Sequence, residues 1–164
     1  MAIEFYFVNK TNRKIIKNSI EPILKKILKK HKISYGSVGI IFLNNDDIQG
    51  MNKKLLNHDY PTDVISIRYD QDEDYITRPR PRSVDKAKFI EAEIFVGVEV
   101  AQENAKIYKV SLTNEILRLC IHGALHLLGY DDQTPEEKEK MSYYEDYYLV
   151  LADKLAPEYV KKFK

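Results

Sequence analysis

One cysteine, Cys120, is all the chain carries, so no internal disulfide can form, and that points to a reducing compartment. No apolar run approaches the length that spans a bilayer. The opening MAIEFYFVNKTNRK lacks the basic start, apolar stretch and cleavage site of a secretory leader. These absences lead us to expect a soluble, cytoplasmic protein. Net charge is nearly absent too, at +1 from 26 Lys and Arg against 25 Asp and Glu. No internal repeat or linker divides the 164 residues, and with 44% of them hydrophobic such a chain can bury one core. Residues 1–164 are therefore expected to form a single domain.

What charge there is lies segregated. Residues 9–32 hold nine Lys and Arg against Glu21 alone, while residues 131–153 hold eight Asp and Glu against Lys138 and Lys140. Segregation of this kind fits either the solvated faces of two helices or a basic surface that attracts a polyanion. Between them, IEFYFV (3–8), SVGIIFLN (37–44), DVISIRY (63–69) and AEIFVGV (92–98) read as strands. A helix capped by Thr11 runs through Ile16 to Leu28, kinked or divided at Pro22; others are expected at 44–57, 99–108, 111–128 and 135–155. Together these predict an α+β fold: a single mixed sheet of about four strands with about five helices. The segment 69–91 reads as a long irregular loop whose RPRPR stretch displays Arg78, Arg80 and Arg82 to solvent.

Chemistry concentrates in SLTNEILRLCIHGALHLLGYDD (111–132). Ser111 or Thr113 caps this helix, and its apolar residues cover most of the circumference, so it belongs in the interior. At 100° per residue the exceptions Glu115, Arg118, His122 and His126 form one polar stripe about 80° wide. His122 and His126 stand one turn apart, and both imidazoles can address one ion. Gly129 lets the chain turn back and carry Asp131 or Asp132 toward them. Two nitrogens and a carboxylate with a fourth position open suit a catalytic zinc site on a buried central helix. Cys120 points away from His122 into the core, and His31 and His58 read as solvent-facing. Where the His-Glu-x-x-His metalloproteases carry their glutamate base, this chain has Gly123, which counts against a peptidase. An iron oxygenase built on two histidines and a carboxylate is a further reading.

The stretch His122–Asp132 resembles the His-Gly-x-Leu-His-Leu-x-Gly-Tyr-Asp-His signature of the YbeY family of bacterial endoribonucleases. Asn52 with HDYPTDVIS (58–66), and AEIFVGVEVAQENAK (92–106), resemble two further family segments, so the likeness spans roughly residues 44–132. It implies a zinc-dependent endoribonuclease that cleaves single-stranded RNA in ribosomal RNA maturation and ribosome quality control, with the ribosome or its small subunit as partner. One zinc would sit on His122, His126 and Asp132, the last replacing the family's histidine, with Asp131 as the substitute ligand or a catalytic carboxylate. Leu56 stands where much of the family has an arginine. Arg118 is the candidate replacement at the scissile phosphate, or else a salt-bridge partner of Glu115 or Asp63. The basic helix 13–30 and RPRPR would track the RNA backbone, and Tyr60, Tyr69 and Tyr75 are candidates to stack on bases. A structural metal in a ribosome-binding factor without chemistry of its own is the other alternative.

Overall fold

The structure is a computed structural model that describes residues 2–71 and 80–155. Its elements run β1 (Ala2–Asn9), α1 (Ile20–Lys30), β2 (Tyr35–Leu43), α2 (Asn45–Leu56), β3 (Val64–Arg68), β4 (Phe89–Gly97), α3 (Val98–Tyr108), α4 (Leu112–Leu127) and α5 (Pro135–Leu155). The four strands form one sheet in the order β1-β2-β4-β3, with β1, β2 and β4 parallel and β3 antiparallel to β4. This is the expected α+β arrangement of a mixed sheet with five helices. β2 and β4 are central and buried almost throughout, which is why β2 is a nearly unbroken apolar run and β4 is interrupted only by Glu91 and Glu93.

Alternation along the strands separates two cores. Val38, Ile40 and Phe42 join Ile90, Ile94 and Val96 in the large core beneath α1, α4 and α5. Ile41 and Leu43 face the other way, into a small core with Ile48 of α2 and Ile65 of β3.

Two boundaries differ from the sequence expectation. α1 starts at Ile20, and Thr11 hydrogen-bonds locally to Asn9 and Arg13. Pro22 therefore sits in the first helical turn, where a missing N–H costs no helix hydrogen bond, and it neither kinks nor divides anything. Residues 13–19, assigned to the basic helix from sequence, lie outside it. At the other discrepancy β4 begins at Phe89, after a short 3-10 turn at Lys86–Lys88. Its pairing with β2 from Tyr35↔Phe89 onward shortens the irregular segment. Arg78 and Tyr75 fall outside the described residues; Arg80 and Arg82 are exposed, and Arg80 donates to the carbonyl of Val84.

α4 is the axis of the molecule. Ser111 caps its start by accepting from the Asn114 N–H at 3.0 Å. At its end Gly129 takes φ +96°, and the Gly129 and Tyr130 N–H groups bond back to the His126 and Leu125 carbonyls. Arg68 of β3 secures that end, donating to the Leu127 carbonyl at 3.0 Å, the Phe89 carbonyl at 3.1 Å and Asp70 at 3.0 Å.

Gly123 marks where α4 lies against the sheet. A Cβ there would stand 2.8 Å from Ser66 Oγ and 2.9 Å from Ile94 Cγ2, and Ser66 already donates to the Gly123 carbonyl at 3.0 Å. The position that holds a glutamate base in metalloproteases is thus pressed on the sheet and has no room for one. Gly123→Ala should destabilise the protein by about 1–3 kcal/mol in denaturant unfolding despite alanine's better helix propensity, because overpacking here outweighs it.

Candidate metal centre

The polar stripe of α4 is answered by groups brought from elsewhere. His122 and His126 point their Nε2 atoms at each other across 3.0 Å, and Asp132 Oδ2 lies 3.4 Å from both. Among the described residues these three are the group whose side chains could share a metal ion. Ligand atoms about 2.1 Å from a tetrahedral zinc stand about 3.4 Å apart, so a triangle of this size is one face of such a site. The donor set also fits chemically, with two imidazoles and one carboxylate.

The tautomers agree with that fit. His122 Nδ1 is 3.0 Å from Glu145 Oε2, so Nδ1 carries the proton and donates, leaving a lone pair on Nε2 aimed into the triangle. Burial lowers the His122 pKa, but the hydrogen bond and charge of Glu145, with Asp132 and Asp63, outweigh it and hold the group above its ordinary value.

Asp131 faces elsewhere. Its Oδ1 accepts the Asp132 N–H at 2.8 Å, holding the turn while Asp132 enters the triangle. Arg118 forms salt bridges, but with Glu145 at 3.2 Å and Asp146 at 3.1 Å, both on α5 and neither of them the partner expected from sequence. Glu145 thus joins Arg118 to His122, and sequence reasoning missed it. A signal was available, since Met141, Glu145, Tyr148 and Ala152 form one buried face of α5, which places an acid among apolar residues.

The remaining candidates scatter. Cys120 is fully enclosed, and burial pushes its thiol up to about 12, so it offers no thiolate. His31 is not solvent-facing: its Nε2 meets the Tyr130 hydroxyl at 3.0 Å and its Nδ1 the Ile27 carbonyl at 2.8 Å. His58 is exposed as expected and stacks on Tyr60, while Tyr69 donates to Glu93 at 2.7 Å. Leu56, in place of the family arginine, is 53% exposed at the end of α2.

Beside the triangle an open cavity of about 490 Å³ shares His122 with it, has Arg118 and Glu145 in its wall, and continues to Asp63, Asn104 and Glu115. Burial pushes the Glu115 carboxyl up to about 7; Arg118 pulls it down, and Asp63 and Glu145 push it up again.

A family model described as Endoribonuclease YbeY matches residues 6–152, a longer span than the motifs alone. A curated protein of that name from Chlorobaculum tepidum is 32% identical over 141 residues, 86% of this chain and 92% of the relative. Another from Elusimicrobium minutum is 42% identical over 106 residues, 65% of this chain and 67% of the relative. In three dimensions the chain is similar to a solution structure from Thermotoga maritima, with TM-score 0.61 and 22% identity over 98% of this chain and 97% of the other, a likeness of fold.

The Glu115 carboxyl gives the metal-free protein a defined pH dependence. Its folded pKa of about 7 exceeds the ordinary 4.5, so the folded state holds a proton the unfolded state lacks, and stability falls as pH rises between those values. His122, also raised, adds stability below its ordinary 6.5 that is lost as pH rises through its folded value. Metal-free protein should therefore melt lower at about pH 8 than at about pH 5.5. Glu115→Gln should recover about 2–4 °C at the higher pH and less at the lower, which lies only about a unit above the ordinary 4.5, measured by calorimetry.

Proposed function

The chain belongs to the YbeY family, and on that premise we propose that it is a zinc-dependent endoribonuclease cutting single-stranded RNA in ribosomal RNA maturation and ribosome quality control. The observation that carries the zinc reading is the 3.0, 3.4 and 3.4 Å triangle of His122, His126 and Asp132 atoms. Residues 1–164 act in this reading as one cytoplasmic domain, with one zinc per chain and the ribosome or its small subunit as partner. Among the described residues no helix is long and apolar enough to cross a membrane.

The ion would supply Lewis-acid polarisation of a phosphodiester oxygen. Everything else is work for the chain itself. Glu145 keeps His122 in the tautomer that leaves Nε2 free, and one Arg118 N–H at Oε1 holds Glu145 against the imidazole at Oε2. With both carboxylates engaging its guanidinium, Arg118 is a positioning residue in this reading rather than a phosphate ligand. Asp131 braces the turn that presents Asp132. Gly123 leaves no glutamate base of the peptidase kind, which supports phosphodiester over peptide chemistry. Lys25, Lys26 and Lys29 on the exposed side of α1 would attract the RNA backbone, with affinity that falls as salt rises.

Metal analysis of purified protein should find one zinc, lost in His122→Ala and Asp132→Ala and retained in Asp131→Ala. Folded His122→Ala should no longer cut single-stranded RNA. Continued cutting would sink the enzymatic reading of this site, whereas ribosome binding without any cutting by the wild type would favour a structural metal. Glu145→Gln should weaken zinc about 10–100-fold in competition with a chelator, as loss of a carboxylate behind a metal-bound histidine does elsewhere.

A further inference from the structure

The cavity beside the triangle is not explained by the metal. Its wall includes Glu115, 1% exposed, whose Oε2 has no hydrogen-bond partner among the described residues. A buried acceptor left unmatched costs about 1–3 kcal/mol, so a donor arriving from outside is the chemistry this atom lacks. Next to it Asn104 donates to Asp63 at 3.2 Å and hydrogen-bonds the Glu115 carboxyl as well, leaving Oε2 as the unmatched atom, and the Asp63 carbonyl accepts the Gly97 N–H at 2.8 Å. Arg118 is the cation in this wall, and Glu145 and Asp146 already engage it.

An enclosure rich in carboxylates, whose cation is taken, repels phosphate and attracts neutral groups that donate hydrogen bonds. Its volume of about 490 Å³ suits a small planar molecule. At the mouth Tyr108 is 60% exposed, a ring free to stack. In single-stranded RNA the group that is neutral, planar and donor-bearing is the base. Guanine offers N1–H and N2–H2 side by side, two donors for a wall lined by Asp63, Glu115 and Glu145; adenine and cytosine offer one amino group, and uracil a single N3–H with no amino group.

We infer that the cavity formed by Asp63, Asn104, Glu115 and Tyr108 is a base subsite that receives a nucleotide flanking the scissile phosphate and selects amino-bearing bases, guanine foremost, over uracil. The inference rests on the RNA-cleaving reading of the adjacent site. Because His122 belongs both to the cavity wall and to the triangle, a base held here leaves its own phosphate beside the metal ligands. The family-wide reading of backbone tracking predicts little sequence preference; this cavity adds one at a single position.

The test is cleavage of a randomised single-stranded RNA pool by zinc-loaded protein, with the new ends sequenced. Guanine should exceed uracil by about 5- to 100-fold in initial rate at one position beside the cut. Glu115→Gln should bring that ratio to within about twofold, with the melting measurements above verifying that this variant is folded. Tyr108→Ala, an exposed change, should weaken binding of short oligonucleotides of every base in fluorescence anisotropy while leaving their order unchanged. Direct titration should show GMP binding more tightly than UMP to the wild type and equally to Glu115→Gln. Cleavage without base preference, or a preference that Glu115→Gln leaves intact, would overturn the subsite while the nuclease reading stands. Absence of any RNA cleavage by the wild type would overturn that reading and the subsite with it. A metal content of two per chain that drops to one in Glu115→Gln would replace the base by a second cation and overturn the inference as well.

Discussion

The structure depends on enclosing a helix that is apolar on nearly every side. α4 has the sheet against Gly123, with α1, α3 and α5 around it. Each neighbour buries leucine and isoleucine side chains, a favourable term of about 1.5–3 kcal/mol per residue, and together they remove α4 from water. Glu115 is removed with it, and Arg118, His122 and His126 are partly so. Buried polar groups need partners, so enclosure forces other elements to deliver them. α5 delivers Glu145 and Asp146, the loop before β3 delivers Asp63, and the turn after α4 delivers Asp132. The candidate centre is the set of polar obligations that packing this helix creates.

That origin explains what could be read from the sequence. The histidine pair, the glycine stop and the acid beyond it are local, and local spacing fixes their relation: Gly129 adopts the positive φ expected of it, and Asp132 arrives at both histidines. Most elements were legible for the same reason. Glu145 was not, since 23 residues separate it from His122 and only the return of α5 along α4 joins them. Its acidic surroundings in 131–153 read as a solvated face, and the buried series through Met141, Tyr148 and Ala152 was the one contrary sign. The start of α1 was misplaced because apolar periodicity continues upstream through Ile16, where Ser19 rather than Thr11 precedes the first helical turn. Propensity sees the pattern, whereas the first-turn position of Pro22 is decided by where hydrogen bonding begins.

Precision at the triangle comes from both ends of α4. Histidines one turn apart share an ion only if the helix neither frays nor slides. Arg68 binds the Leu127 carbonyl, one residue beyond His126, to β3 and β4, and Asp70 completes that anchor by accepting from Arg68 and from the Glu91 N–H. In the middle, Ser66 and Ile94 leave no clearance at Gly123, which fixes rotation about the helix axis. With rotation and end both set, the surrounding fold holds the imidazole nitrogens 3.0 Å apart. Preorganisation of this kind lowers the ordering cost of binding an ion.

Charge explains why such an arrangement suits a cation. Around the two imidazoles stand Asp132, Glu145, Asp63 and Glu115, against Arg118. So many partly buried carboxylates repel one another, and the raised Glu115 carboxyl records that, burial first and neighbouring acids after. A divalent ion at the triangle would change the balance for all of them, favouring the ionised forms and opposing a proton on His122. As a ligand Asp132 would have a cost in the other direction, since its charge would leave the ion less electrophilic than a third neutral imidazole would. In the zinc reading, tighter retention of the ion and weaker activation by it would follow from the same carboxylate. The acid-rich wall beside the triangle would push in the same direction, so in the proposed reading base selectivity and metal affinity would both follow from one local excess of negative charge.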